Sequence, residues 1–246
     1  MGELDPVLAV VAWSSLAAGA AVLGVVPQAL MGRVSLPLMG WGNALASGLM
    51  LGVAYSLLYV GLDETVFFGA VGAVVGVVFV RLTHFGIGVQ DVDLNRLDDA
   101  GSAYGYQVLL VNTMHSAYEG IAIGAAMLVS LPFGISMAVA LALHNIPEAM
   151  VLTAVLRSRG LRLDHAAALT MGVNLNQVLL AVVTFSVVTA LPWLLPWVIG
   201  FSVGALIYLV LVELLPESYH QAGPTSIALV TLVAMGIVVA LTGGAA

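Results

Sequence analysis

Residues 111–120 read Val111-Asn112-Thr113-Met114-His115-Ser116-Ala117-Tyr118-Glu119-Gly120, and residues 144–150 read His144-Asn145-Ile146-Pro147-Glu148-Ala149-Met150, each inside a long apolar stretch. In both, a histidine precedes a glutamate by four residues. On an α-helix that spacing stacks imidazole and carboxylate on one face, and Asn145, three residues before Glu148, shares it. The surroundings decide what such a pair means. Hydrophobic residues make up 61% of the 246-residue chain and charged residues 8%, where an ordinary soluble domain carries about 25% charged. Most of the chain is therefore expected to face lipid.

With roughly 20 apolar residues per crossing, the expected fold is an all-α integral membrane protein of eight transmembrane helices in a single domain, 1–246. Apolar runs between Gly, Pro and charged breakers predict spans at 6–27, 37–61, 65–83, 105–129, 133–156, 165–189, 194–217 and 224–243, with a cytoplasmic loop at 84–104. The first run follows Glu3 and Asp5, not a basic segment, and is expected to be a retained helix. With no cysteine there is no disulfide framework, thiolate ligand or cysteine nucleophile.

All six basic residues are arginines: Arg33, Arg81, Arg96, Arg157, Arg159 and Arg162. In an eight-helix arrangement they fall near the loops joining helices 1–2, 3–4 and 5–6, which share one side. The positive-inside rule makes that side cytoplasmic, so a multi-pass protein of the plasma membrane with both termini extracytoplasmic is expected. The opposite side holds Glu3, Asp5, Asp63 and Glu64 and no arginine. Asp63 and Glu64 are candidates for a cation entrance, since an acidic mouth raises the local cation concentration. Trp193 and Trp197 suit an interfacial belt, and the glycines of helices one, two, three and seven, Gly19 and Gly24 among them, suit close helix packing.

His115, Glu119, His144 and Glu148 all fall near the middle of their spans. An ionised side chain there costs about 2.5–3.5 kcal/mol even on the lenient insertion scale, so it marks a functional site by default. A cation offsets that cost, and imidazole nitrogen with carboxylate oxygen suits Zn²⁺, Fe²⁺ or Mn²⁺. Pro147 lacks an amide hydrogen and frees the carbonyl of Leu143 beside the site. In helix six, Asn174, Asn176 and Gln177 supply either carbonyl ligands or helix-to-helix hydrogen bonds. Glu213 and His220 in helix seven are candidates for the exit path. The Asp91–Asp99 loop opens like a calcium loop, but Arg96 stands at the turn glycine and Ser102 at the closing glutamate, so it reads as a solvated acidic loop.

These residues resemble those of the ZIP (ZRT/IRT-like) divalent metal transporters, of the prokaryotic type. His115, Glu119 and Gly120 match the family's H-N-x-x-[DE]-G pattern in helix four; His144, Asn145, Pro147 and Glu148 match H-[NED]-x-P-[HE]-[EG] in helix five. Gly48-Leu49-Met50-Leu51, and Gly204-Ala205-Leu206-Ile207-Tyr208 with Glu213, Pro216 and Glu217, are similar to further family stretches. The resemblance implies a helical bundle with a mid-membrane metal site formed by helices four, five and six. His115, Glu119, His144 and Glu148 would form one site, and Asn145 and Gln177 would join the shared carboxylates in a second. Ser116, Ala149 and Gln177 depart from common family residues. Gln177 stands where many members have glutamate, which weakens the second site.

The function expected is import of divalent transition-metal cations toward the cytoplasm, zinc first, with Cd²⁺, Fe²⁺, Mn²⁺ and Co²⁺ served by the same ligand set. The metal is cargo and no resident cofactor is expected. The partners expected are metal ions and the lipid bilayer, with no nucleic acid, and a second copy of the chain is a candidate partner. An enzyme is not expected. The two rivals are an intramembrane zinc hydrolase using a metal-activated water near Ser116 and a metal-free proton-conducting bundle.

Overall fold

The structure, a computed structural model, describes residues 5–61, 66–87 and 103–243, and among them the regular structure is entirely helical. Eight long helices follow one another: α1 (Pro6–Met31), α2 (Leu36–Gly61), α3 (Val66–Ile87), α4 (Ala103–Val129), α5 (Leu131–Ser158), α6 (Leu163–Ala190), α7 (Pro192–Ala222) and α8 (Pro224–Gly243). Local chemistry sets their ends. The Asp5 carboxylate accepts from the Val7 amide at 2.9 Å, with Pro6 opening α1. Ser130 alone separates α4 from α5, and its hydroxyl accepts from the Phe133 amide at 3.3 Å. Gly160, at φ 83°, ends α5 in a conformation that a side chain resists.

Seven of these helices are long and apolar enough to cross a membrane. The other, α4, has 27 residues but is diluted by Gln107, Asn112, Thr113, His115, Ser116 and Glu119. It lies among α5, α6 and α7, which cover its polar face. Elsewhere the pattern is that of a protein dissolved in lipid: Leu8, Phe67, Phe85 and Leu175 are exposed, while Ser14, Ser47, Thr170 and Ser202 are buried. The buried serines turn back on their own helices, as Ser14 does to the Val10 carbonyl at 2.6 Å and Ser47 to that of Asn43 at 2.7 Å, while the Thr170 hydroxyl meets that of Thr153 on α5 at 3.3 Å.

Several helices run a few residues longer than the sequence predicts, and two of these extensions bear on the site. The expected loop 84–104 begins later, because α3 continues through His84 to Ile87, and α7 continues to Ala222. In the extension the His84 ring finds a partner on α7. Within α7, Val210–Leu214 adopts a π-helical turn, which re-aims the side chains carried there.

The helices pair in parallel. Glycines let α3 and α7 touch backbone to backbone, with Gly72 on Trp197 and Gly76 on Phe201. Gly120 of α4 lies on the Gln177 carbonyl of α6, and Gly124 on that of Ala181. Along α2 and α8, the Trp41 indole N–H donates to the Ser226 hydroxyl at 3.4 Å, and the Ser56 and Thr242 hydroxyls meet at 2.7 Å. The start of α4 lies beside the end of α5, where Gly105 faces Arg159, and the start of α2 beside the end of α7, where Gly40 faces Gln221. The chain therefore alternates direction, and the described arginines fall at one end of the bundle.

Gly200→Ala would drive a Cβ into the backbone of Gly69. It is expected to lower unfolding stability in detergent by about 1–3 kcal/mol. Gly19→Ala, with no atom within 4 Å of the new Cβ, is expected to leave the midpoint unchanged or slightly raised. Thermal unfolding followed by circular dichroism checks both.

Candidate metal centre

The α4 and α5 pairs converge in the core. His144 Nε2 lies 2.8 Å from Glu119 Oε1 and 3.7 Å from Glu148 Oε2. Neither Glu119 nor His144 has appreciable exposure, at 0% and 1%. On its other side the His144 ring places Nδ1 3.1 Å from the Ala46 carbonyl of α2. A carbonyl only accepts, so this contact puts the ring proton on Nδ1 and leaves the Nε2 lone pair facing two carboxylates. Two acceptors at 2.8 Å repel unless a proton or a metal cation lies between them.

The second oxygen of Glu119 is held differently. Gln177 Nε2 on α6 donates to Glu119 Oε2 at 3.1 Å, Gln177 Oε1 accepts from Asn145 Nδ2 at 2.9 Å, and Asn145 Nδ2 also donates to the Ala17 carbonyl of α1 at 2.8 Å. Two acceptors around one amide nitrogen fix which way Asn145 points. All three side chains are fully buried. Glu119 Oε1 and Asn145 Oδ1 are left with no hydrogen-bond partner among the described residues. Buried unpaired acceptors of this kind suit a cation.

His115 sits one turn from Glu119 and faces two ways. Its Nδ1 is 3.7 Å from Glu148 Oε1, and its Nε2 is 3.2 Å from Glu213 Oε2 on the π turn of α7. Glu213 Oε1 in turn meets His84 Nδ1 at 2.6 Å. Two groups of metal-capable side chains result, Glu119 with His144 and Glu148, and His84 with His115 and Glu213, the ligand atoms of each lying within 4.8 Å of one another. The first group is deeper: Glu119 is more than four turns into α4 from Ala103, whereas His84 is about one turn from the end of α3. The row descends toward the end of the bundle that carries the arginines.

The structure thus gathers His115, Glu119, His144, Asn145, Glu148, Gln177 and Glu213 into one continuous constellation. His220 is exposed on the last turns of α7 and takes no part in either group. Asp63 and Glu64 lie outside the described residues, as does the Asp91–Asp99 loop. Of the helix-six amides, Asn176 donates to the Thr113 carbonyl of α4 at 3.0 Å and so ties two helices, while Asn174 donates to the Thr170 carbonyl of its own helix at 3.0 Å and keeps its Oδ1 buried without a partner among the described residues. Ser116 is likewise structural, its hydroxyl accepting from the Gln177 amide at 3.1 Å. Sequence reading missed His84, which stands alone in α3 without a partner at helical spacing.

Residues 94–243 match the family model described as ZIP Zinc transporter. The chain belongs to the ZIP family. A protein of Arabidopsis thaliana named as a candidate zinc transporter is 30% identical over 205 residues, covering 81% of this chain and 33% of the relative. Zinc transporter ZIP13 of Homo sapiens is 33% identical over 151 residues, 55% of this chain and 39% of the relative. Zinc transporter ZIP10 of Danio rerio is 31% identical over 133 residues, 50% of this chain and 15% of the relative. This ZIP chain spans about a third of the length of the Arabidopsis relative. The matched ZIP segment holds α4 to α8, and so every ionisable member of the two groups except His84.

Asn145→Leu removes the donor shared by Gln177 Oε1 and the Ala17 carbonyl. Each acceptor left buried and unpaired is expected to destabilise by about 1–3 kcal/mol. Tyr118→Phe, which loses only the 3.1 Å contact with the Thr83 hydroxyl, is expected to cost about 0.5–1.5 kcal/mol. Unfolding midpoints of the two variants in the same detergent check the order.

Proposed function

We propose that this ZIP chain carries divalent transition-metal cations, zinc foremost, across the plasma membrane toward the cytoplasm. The deep ligands in this reading are Glu119, His144 and Glu148. What supports it most is the pair of acceptors, His144 Nε2 and Glu119 Oε1, that face each other at 2.8 Å with a second carboxylate 3.7 Å away. Ligands of a tetrahedral ion with bonds of about 2.0–2.2 Å are roughly 3.3–3.6 Å apart, so small side-chain rotations seat the ion. Two carboxylates balance one dication.

From there the cation passes to His115, which already faces both groups, and on to Glu213 and His84. The arginine-bearing end toward which this row descends is cytoplasmic by the positive-inside rule, which gives import, and both termini then lie outside. Asp63 and Glu64 serve the entrance. Gln177 and Asn145 are engaged with each other and with Glu119, so they position that carboxylate and leave only Asn145 Oδ1 free for a second ion. One strongly held deep ion is the consequence.

A hydrolase reading lacks the H-E-x-x-H pattern of a zinc hydrolase, and Ser116 accepts from the Gln177 amide in a helix-to-helix bond. No covalent chemistry is required of any residue here. Without a cation, the 2.8 Å separation of His144 and Glu119 suits a proton between them. Metal entry therefore displaces a proton.

Zinc uptake into proteoliposomes is expected to be abolished by Glu119→Ala and by Glu148→Ala; undiminished uptake in both would sink the assignment. Gln177→Ala, which frees Glu119 Oε2, is expected to weaken zinc binding by about 10- to 100-fold in equilibrium dialysis. Zinc titrations in buffers of different ionisation heat are expected to show net proton release, and absence of release would remove the proton from the His144–Glu119 pair. His84→Ala is expected to slow uptake while zinc still binds the purified protein.

A further inference from the structure

The α3–α7 pair and the α4–α6 pair meet along one seam, and over part of its length they leave a cavity of about 340 Å³. Val75 forms one wall and Val183 and Val187 the other, while Ile121 and Phe201 close the inner end. At the back, Gly72 rests on the Trp197 backbone. Apart from the Thr184 hydroxyl and the Trp197 indole nitrogen, every lining side-chain atom is carbon.

The place of this cavity determines what fills it. Val75, Val183 and Val187 are 50%, 44% and 44% exposed, so its long side opens outward from membrane-crossing helices. That exterior is hydrocarbon. Along α6 the lining runs from Leu180 to Val188, about 12 Å at helical rise. Trp197 lies near the start of α7, at the level where tryptophan meets headgroups, and Ile121 lies two residues past Glu119 near mid-membrane. The cavity thus spans most of the roughly 15 Å hydrocarbon depth of one leaflet.

Spread over that length, the volume gives a cross-section of roughly 30 Å². That is the girth of one extended hydrocarbon chain. A helix, about 10–12 Å across, is too thick to enter. The described arginines are all at the other end of the bundle, so none of them is placed to select a headgroup.

We propose that this seam binds one phospholipid acyl chain from the leaflet opposite the arginine-bearing loops, recognised by its hydrocarbon and not by its headgroup. The bound chain lies between the two helix pairs, with its tip against Ile121, Phe201 and, through the Phe201 ring, Tyr118.

The full chain reconstituted in phosphatidylcholine vesicles containing a small fraction of phosphatidylcholine with a diazirine midway along one acyl chain provides the test. After photolysis, peptides covering 180–188 and 194–201 are expected to be labelled several-fold above the lipid-facing stretch of α8 at Leu229, Leu232 and Val233, which are 59%, 66% and 62% exposed. Val183→Trp, which fills the cavity, is expected to remove the excess. Val75→Phe fills it from the other wall and serves if the first variant does not fold. A phosphatidylglycerol carrying the same diazirine chain is expected to label equally. Labelling no higher than on α8, excess that survives both filling variants, or dependence on headgroup would each overturn the proposal. So would a disulfide-linked dimer formed efficiently by Val183→Cys, a readout made clean by the absence of other cysteines, since a second copy would then cover the seam.

Discussion

Glu119 has no surface open to water or to lipid, and an ionised carboxylate so placed must be met on every side by donors or by positive charge. One oxygen is met by Gln177 from α6, and the other faces His144 from α5. Those partners are themselves held, Gln177 by Asn145, Asn145 by the α1 backbone, and the His144 ring by the Ala46 carbonyl of α2. Five helices are thus drawn to one carboxylate. The Nε2–Oε1 gap is costly unless a proton or a cation fills it, and in the proposed function the two exchange there. A site that was stable when empty would have little reason to take up an ion.

How close the helices come is decided by glycine. Gly120 on the Gln177 carbonyl brings α4 near enough to α6 for a glutamine side chain to reach Glu119. A methyl group at that position would hold the helices apart and leave the carboxylate oxygen alone. In lipid, where apolar side chains gain nothing by moving from tails to a helix interface, such backbone contacts and buried amide bonds carry the association. Apolar bulk faces outward instead, as Phe67 and Phe85 do.

Much of this was legible in the sequence, for identifiable reasons. The i,i+4 spacing of His115 with Glu119 and of His144 with Glu148 is a local property of a helix, so the faces followed directly. Which amides bind a ligand and which bind a helix is a question of contact across chain-distant residues: the family resemblance singled out Gln177 from Asn174 and Asn176, but only the contacts show it reaching Glu119 while Asn176 reaches the α4 backbone. His84 was hidden because it lies in a single span with no companion, past the point where hydropathy appeared to end. Its depth, near that of Glu213, was the one available hint. The π turn that aims Glu213 at His115 leaves no mark in composition at all. Glycines could be recognised as packing residues, yet nothing local says that α3 seeks α7 and α2 seeks α8.

Those parallel pairings join helices that leave the ribosome far apart in time. Trp41 and Ser226 are 185 residues apart, which at about 5–20 residues per second is a delay of roughly 10 to 40 s. During that interval α2 has no α8, and Glu119 waits for a glutamine made 58 positions later. Until α6 is made, Glu119 has His144 of α5 as a neighbour but no donor for its second oxygen. The polar heart of this protein is therefore synthesised early and completed late, its last partners supplied by helices that follow it from the ribosome.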